Sequence, residues 1–174
     1  MELDKKQFKF IKPLAWKEVF NIWKNNEANE EHWKEYCKEK GFDSWFEWRK
    51  KYIEPIKKQS KDWKLFKILN PLESVPQFRG GPYNGWTKNF YKNQEMPRLK
   101  NIKENPAIKQ YLDNFPSKTT IITWNTEDGI IIIEGMHKCA AITKAAKEGI
   151  NIKTDLYMAI SDSLIKDIPS FVKK

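Results

Sequence analysis

The residues best equipped for chemistry stand together at Glu134-Gly135-Met136-His137-Lys138. A carboxylate, an imidazole and an ammonium surround one glycine. Ahead of them runs Ile130-Ile131-Ile132-Ile133, a β-branched run suited to a strand covered on both faces. Behind them a stretch rich in Ala, Lys and Thr continues to Glu148, with Gly149 at a natural C′ position. A strand, a glycine turn and a helix start leave backbone N–H groups unpaired from Gly135 to Lys138, at the positive end of a helix dipole. Such a place binds anions, phosphate above all.

Each side chain there has a functional reading and a plain one. His137 could donate to a phosphate or move a proton, or it could simply pack at the helix start. Glu134 could hold a ribose hydroxyl, share a Mg2+ ion or orient His137, or face water at the end of its strand. Upstream, three of the seven glycines lie in Phe78–Trp86, a loop that contains Arg79-Gly80-Gly81. Guanidinium forks suit phosphate oxygens, and glycine lets backbone approach a ligand closely. The other reading of that loop is an ordinary multi-turn connection. His32, Cys37, His137 and Cys139 lack zinc-finger spacing, so no metal site is expected from them.

The elements that must position these residues follow from periodicity. Residues 1–12 read as an arm. Trp16, Val19, Phe20 and Trp23 then share one helical face, after Pro13 at a first turn. A second helix carries Trp33, Tyr36 and Cys37 and ends at Gly41. A third starts at Ser44, where Ser44 and Glu47 have capping-box spacing, and Pro55 is expected to stop or kink it. The tryptophan stripe of these helices reads as core or as a partner-binding face. Residues 1–60 are therefore expected to form an aromatic-rich helical extension, and 61–174 a separate α+β unit. Within the latter, Trp63 to Ile68 reads as a strand, followed by Asn70-Pro71 opening a short helix with Glu73 in its first turn. Asn105-Pro106 opens another helix. Thr119 to Trp124 pairs with the isoleucine run through Asp128-Gly129. Ile152 to Ile160 is a last strand, and Leu164 to Phe171 a short helical tail.

Composition bounds the function. At 174 residues, with 40% hydrophobic and 14% aromatic residues, the chain can bury a real core. The net charge of +9 favours anionic partners, either a nucleotide or nucleic acid, although lysine is spread along the whole chain as on a solvated surface. Two distant cysteines suggest a reducing, cytoplasmic setting rather than a disulfide framework. No signal peptide and no membrane partner are expected.

At Glu134 to Ile142 the sequence resembles the ParB/sulfiredoxin-like superfamily, whose signature is a strand end, Gly-x-His-Arg, and a helix rich in small residues. The order of elements over roughly 63–160 is similar as well. The resemblance implies an α+β fold, a small mixed sheet with flanking helices, to which the N-terminal helices would be added. It implies a cofactor such as ADP, ATP or CTP, with Mg2+. It further implies that Glu134, Gly135, Met136, His137 and Lys138, with Arg79, Gly80 and Gly81, form the binding site. Met136 stands where sulfiredoxin has its nucleophilic cysteine, and a thioether cannot replace a thiolate. Partition proteins carry a helix-turn-helix domain after this fold, which is not seen here. The activity that remains resembles ADP-dependent free-serine kinase, with Glu73 implied as base beside His137. Lys138 replaces the usual Arg, keeping charge but losing the fork. The contrasting expectation is a non-enzymatic nucleic-acid-binding or protein-interaction module with a basic surface.

Overall fold

A computed structural model describes residues 3–60 and 62–163. They form an α+β structure built on one five-stranded mixed sheet. In chain order the elements are β1 (Phe8–Pro13), α1 (Trp16–Glu27), α2 (Glu31–Glu39), α3 (Trp45–Gln59), β2 (Lys64–Ile68), α4 (Pro71–Ser74), α5 (Asn84–Asn89), α6 (Lys109–Asp113), β3 (Lys118–Thr126), β4 (Gly129–Glu134), α7 (Met136–Glu148) and β5 (Asp155–Asp162). The strand order is β1-β2-β5-β3-β4. All neighbours are antiparallel except β3 and β5, which run parallel with α7 as the crossover between β4 and β5.

The expected arm contains an edge strand. Residues 8–13 pair with β2, with a register shift between Phe10 and Lys12. Only Phe8 of this strand is buried, so no alternation marks it in the sequence. Pro13 closes β1 rather than opening α1, and an edge position tolerates its missing N–H. α1 starts instead with Glu18 reaching back to the Ala15 amide at 2.8 Å. α2 ends in a Schellman motif, with Gly41 at φ 72 and the Phe42 amide bonded to the Cys37 carbonyl at 3.0 Å. Ser44 caps α3 by accepting from the Glu47 amide at 3.2 Å, while the Glu47 carboxylate reaches the Asp43 amide. Pro55 does not stop α3, which runs on to Gln59. The carbonyl that Pro55 leaves without a donor belongs to exposed Lys51, where water can satisfy it.

Apolar side chains fill both faces of the sheet. Ile121, Ile130 and Ile132 pack with Cys139, Ala140 and Ile142 of α7 on one side. Ile122, Trp124 and Ile133 pack with Val19 and Trp23 of α1 and Ile53 and Ile56 of α3 on the other. The isoleucine run is thus covered on both faces, and the helices of residues 1–60 cover one of them. Trp23, Trp63 and Trp124 are core. The tail from Leu164 to Phe171 lies outside the described residues. Among the described residues no helix is long and apolar enough to cross a membrane.

Candidate functional site

Gly135 adopts a left-handed conformation, φ 98, between β4 and α7. A side chain there would put its Cβ 2.6 Å from Ile121 Cγ2, so both backbone and packing demand glycine. The first helical bond of α7 runs from the Cys139 amide to the Gly135 carbonyl at 2.9 Å. The amides of Met136, His137 and Lys138 precede it, as at any helix start.

This first turn forms the floor of a pocket of about 170 Å³. Its walls come from several elements: Asn26 and Glu27 of α1, Trp33 of α2, Arg49 of α3, Trp86 of α5 and Tyr111 of α6. Glu134, His137 and Lys138 all line it. Glu134 is only 7% exposed. Asn26 spends both amide hydrogens locally, one on Glu134 Oε2 at 2.5 Å and one on the Thr120 carbonyl at 2.8 Å. Burial pushes the Glu134 carboxyl up to about 7, against the pull of Lys138. A carboxyl with that affinity for protons exchanges one near neutrality.

His137 lies between two rings, edge-on to Trp86 at 5.1 Å and stacked on Tyr111 at 5.8 Å. Burial, with His32 nearby, lowers its pKa to about 4. It is therefore a neutral imidazole at pH 7, able to donate or accept but bringing no charge to an anion. Met136 is buried, and its sulfur accepts from the Gly81 amide at 3.3 Å. Cys139 is buried in the core and its thiol is pushed up by desolvation, which suits packing rather than nucleophilic attack.

Comparison with known proteins found no match to a protein-family model, to a curated protein or to a solved structure.

The residues upstream of the motif do not all converge on it. Arg79 pairs its backbone with β4 at Ile130 and Ile132, and its side chain turns to the β3–β4 hairpin. There it donates to the Asp128 carbonyl at 2.9 Å and the Met96 carbonyl at 3.1 Å. That is the far end of β4 from Glu134. Gly80 and Gly81 are needed because Tyr91 and the Ile132 carbonyl fill the space a Cβ would take. Tyr83, two residues on, is the part of this loop that reaches the pocket, with its hydroxyl donating to the Ile133 carbonyl. Glu73 is exposed beside Ala145, Ala146 and Gly149, at the C-terminal end of α7. A helix of 13 residues is about 20 Å long, so Glu73 and His137 stand at its opposite ends.

In their place the fold supplies residues that motif spacing did not flag. Glu27 and Arg49 form a buried bidentate pair, Nε to Oε2 at 2.6 Å and Nη2 to Oε1 at 2.7 Å. Trp45 Nε1 also donates to Glu27 Oε2 at 2.9 Å. The Arg49 guanidinium sits 3.8 Å over the Trp48 ring. One signal was available: in a chain with 32 Lys and Arg, only Arg49, Arg79 and Arg98 are arginine. A lysine-rich chain that spends an arginine among aromatic residues has use for a planar fork there.

Proposed function

We propose that this protein binds a nucleotide or another phosphorylated small molecule where β4 meets α7, as a relative of the ParB/sulfiredoxin-like superfamily. The observation that carries this reading is convergence. The first turn of α7, Lys138, Glu134 and the rings of Trp33, Trp86 and Tyr111 all line one small pocket. Its volume of about 170 Å³ is below the roughly 300–1,000 Å³ of pockets that enclose drug-sized ligands. The phosphate end of a ligand fits inside, and a base or ribose would lie at the aromatic rim.

Within this reading the proton-handling group is Glu134 rather than Glu73, because Glu134 is the carboxyl at the motif. Phosphoryl transfer would rest on positioning and charge, with Glu134 taking a proton from an acceptor hydroxyl and His137 giving neutral hydrogen bonds. A Mg2+ ion would arrive with the nucleotide, held by phosphate oxygens and one or two carboxylates, which here would come from the pocket's glutamates.

The test is a thermal-shift series with ADP, ATP, CTP and GTP, each with Mg2+, on the wild type and on Lys138→Ala. Binding to the folded state raises the midpoint by mass action. The expected result is a saturable shift with at least one nucleotide, reduced in the variant. No shift with any of them, or an equal shift in Lys138→Ala, removes the reading.

A second reading has its own observation. A groove of about 640 Å³ on the outer strands is lined by Phe10 and Phe66 together with Lys5, Lys9 and Lys64. Asp62 and Asp162 line it as well, but an exposed Phe10 beside a half-buried Phe66, with lysines around them, can stack and steer single-stranded nucleic acid. That binding would weaken steeply with added salt, whereas saturable nucleotide binding in the pocket would largely survive it.

A further inference from the structure

We infer that Arg49, delivered by α3, is the guanidinium of this site: with Lys138 it grips the terminal phosphate group of the ligand, while Glu27 locks its fork. This rests on the phosphate reading above and adds to it a residue, a partner chemistry and a purpose for the N-terminal helices.

Three observations carry it. First, Arg49 lines the pocket although it is 7% exposed. Second, its Nε and Nη2 are spent on Glu27, but Nη1 has no acceptor among the described residues. Nor is Nη1 one of the sealed polar atoms without a partner, which among the described residues are Trp23 Nε1, Gln59 Oε1, Trp63 Nε1 and Ser74 Oγ. An accessible donor on a buried residue that lines a pocket opens onto that pocket. Third, the group is held rigidly: two bonds to Glu27, the Trp48 face at 3.8 Å, and the Trp33 and Tyr52 rings each at 5.3 Å. A donor fixed in advance loses little entropy when an anion arrives.

Glu27, Glu30 and Glu134 line the pocket beside Arg49 and Lys138, so an anion has to be held there by directed bonds rather than by net charge. Lys138 is a point charge without a fork, so a planar donor from another element supplies the directional hydrogen bonds to phosphate oxygens. Both Glu27 oxygens are already engaged, by Arg49 and Trp45. Glu27 therefore orients Arg49 while leaving its third nitrogen for the ligand. The class of ligand that satisfies Nη1, the Lys138 ammonium and the first-turn amides together is a terminal phosphate, as in a phosphate monoester or a nucleoside diphosphate.

The experiment is calorimetric titration of the full chain with pyrophosphate and with ADP plus Mg2+, on the wild type, Lys138→Ala, Arg49→Lys and the double variant Glu27→Gln/Arg49→Gln. Arg49→Lys keeps a cation for Glu27 but has no third nitrogen; the double variant leaves neither charge of the pair buried without the other. The expected result is affinity at least tenfold weaker in both Arg49 variants, with native circular dichroism. Should the variants fail to fold, 15N spectra of the wild type decide: the Arg49 Nη signals, among only three arginines, should shift and sharpen with pyrophosphate. Binding by the wild type that weakens in Lys138→Ala but not in the Arg49 variants, or that leaves the Arg49 signals unmoved, overturns the role of Arg49 alone. No binding of either probe by the wild type overturns the phosphate reading, and this inference with it.

Discussion

Two of the protein's hollows are opposite in character. The groove over β1, β2 and β5 is the larger, about 640 Å³, and its walls are Phe8, Phe10, Phe66, Leu69 and Ile160 with lysines around them. The pocket at α7 has about 170 Å³, yet it gathers Glu27, Arg49, Glu134, Lys138 and His137 from three helices and a strand end. Size records where an edge of the sheet is thinly covered. Convergence records something costly, because charges taken out of water must regain their hydration energy from each other. A purely structural corner would fill more cheaply with apolar side chains, so the small hollow is the better candidate for function.

The most direct way to break that contrast is to remove Arg49. Arg49→Ala leaves the Glu27 carboxylate buried without its partner, and a cost of about 3–5 kcal/mol is expected. Urea denaturation checks it. Replacing both Glu27 and Arg49 by methionine should recover most of the loss, since an apolar pair of similar volume needs no hydration. If Arg49→Ala costs no more than an exposed substitution, the pair is not buried in solution and the pocket loses its charged wall.

The next largest effects appear with pH. Burial raises the Glu134 pKa from 4.5 to about 7, with Glu27 adding to the rise and Lys138, Asn26 and Arg49 opposing it. Between those values the folded protein holds a proton that the unfolded chain releases. This group therefore stabilises the fold at acid pH and loses that contribution as pH rises to 7. His137, lowered from 6.5 to about 4, works in the opposite direction, and its contribution is lost as pH falls from 6.5 to 4. Each is worth about 3 kcal/mol across its window, and the two offset over pH 4.5–6.5. Relative to the wild type, Glu134→Gln should lose about 3 kcal/mol between pH 7 and 4.5, and His137→Gln should gain about as much between pH 6.5 and 4. Denaturant melts at four pH values suffice. Parallel curves for all three proteins would mean that neither group titrates abnormally.

How much of this was readable from the chain depends on the range of the interaction. The isoleucine strand, the turn at Gly129, the motif helix and its Gly149 end are local patterns, and the structure has them where periodicity put them. β1 was not visible because an edge strand exposed beyond Phe8 carries no alternation. The candidate site was half legible. Glu134, His137 and Lys138 share a pocket because they are neighbours in sequence. Arg79 is suggested by its guanidinium and its glycine neighbours and Glu73 only by the family resemblance, but the hairpin holds one and the far end of α7 the other. Glu27 and Arg49 are 22 positions apart on different helices, so only the packing of α1 against α3 makes them a pair.

The two ends of α7 sharpen the comparison further. Gly135 and Gly149 both have positive φ, at 98 and 68. At Gly149 an added Cβ meets nothing within 4 Å, whereas at Gly135 it meets Ile121. Gly149→Ala should therefore cost only the left-handed penalty, about 1 kcal/mol. Gly135→Ala adds a steric clash and should cost about 2–3 kcal/mol. The proposed phosphate binding should fail only in the latter, because only that glycine sets the direction of the first turn. Equal losses at both positions would show that the pocket end is no more constrained than the free end.

The smallest expected effect belongs to the large groove. Phe10 is 53% exposed and touches Phe66 edge-on, ring centres 5.5 Å apart. Phe10→Ser removes little buried area, so stability should change by no more than about 0.5 kcal/mol. The proposed nucleotide binding at α7 should not change, because Phe10 does not line that pocket. What the substitution can change is binding of single-stranded nucleic acid, where losing one stacking ring is worth about 1–3 kcal/mol per base. A filter-binding titration of an oligonucleotide at low salt reads this directly. Weakened oligonucleotide binding with nucleotide affinity intact would make the groove a second, separate site. Unchanged oligonucleotide binding would leave the groove as an uncovered edge of the sheet.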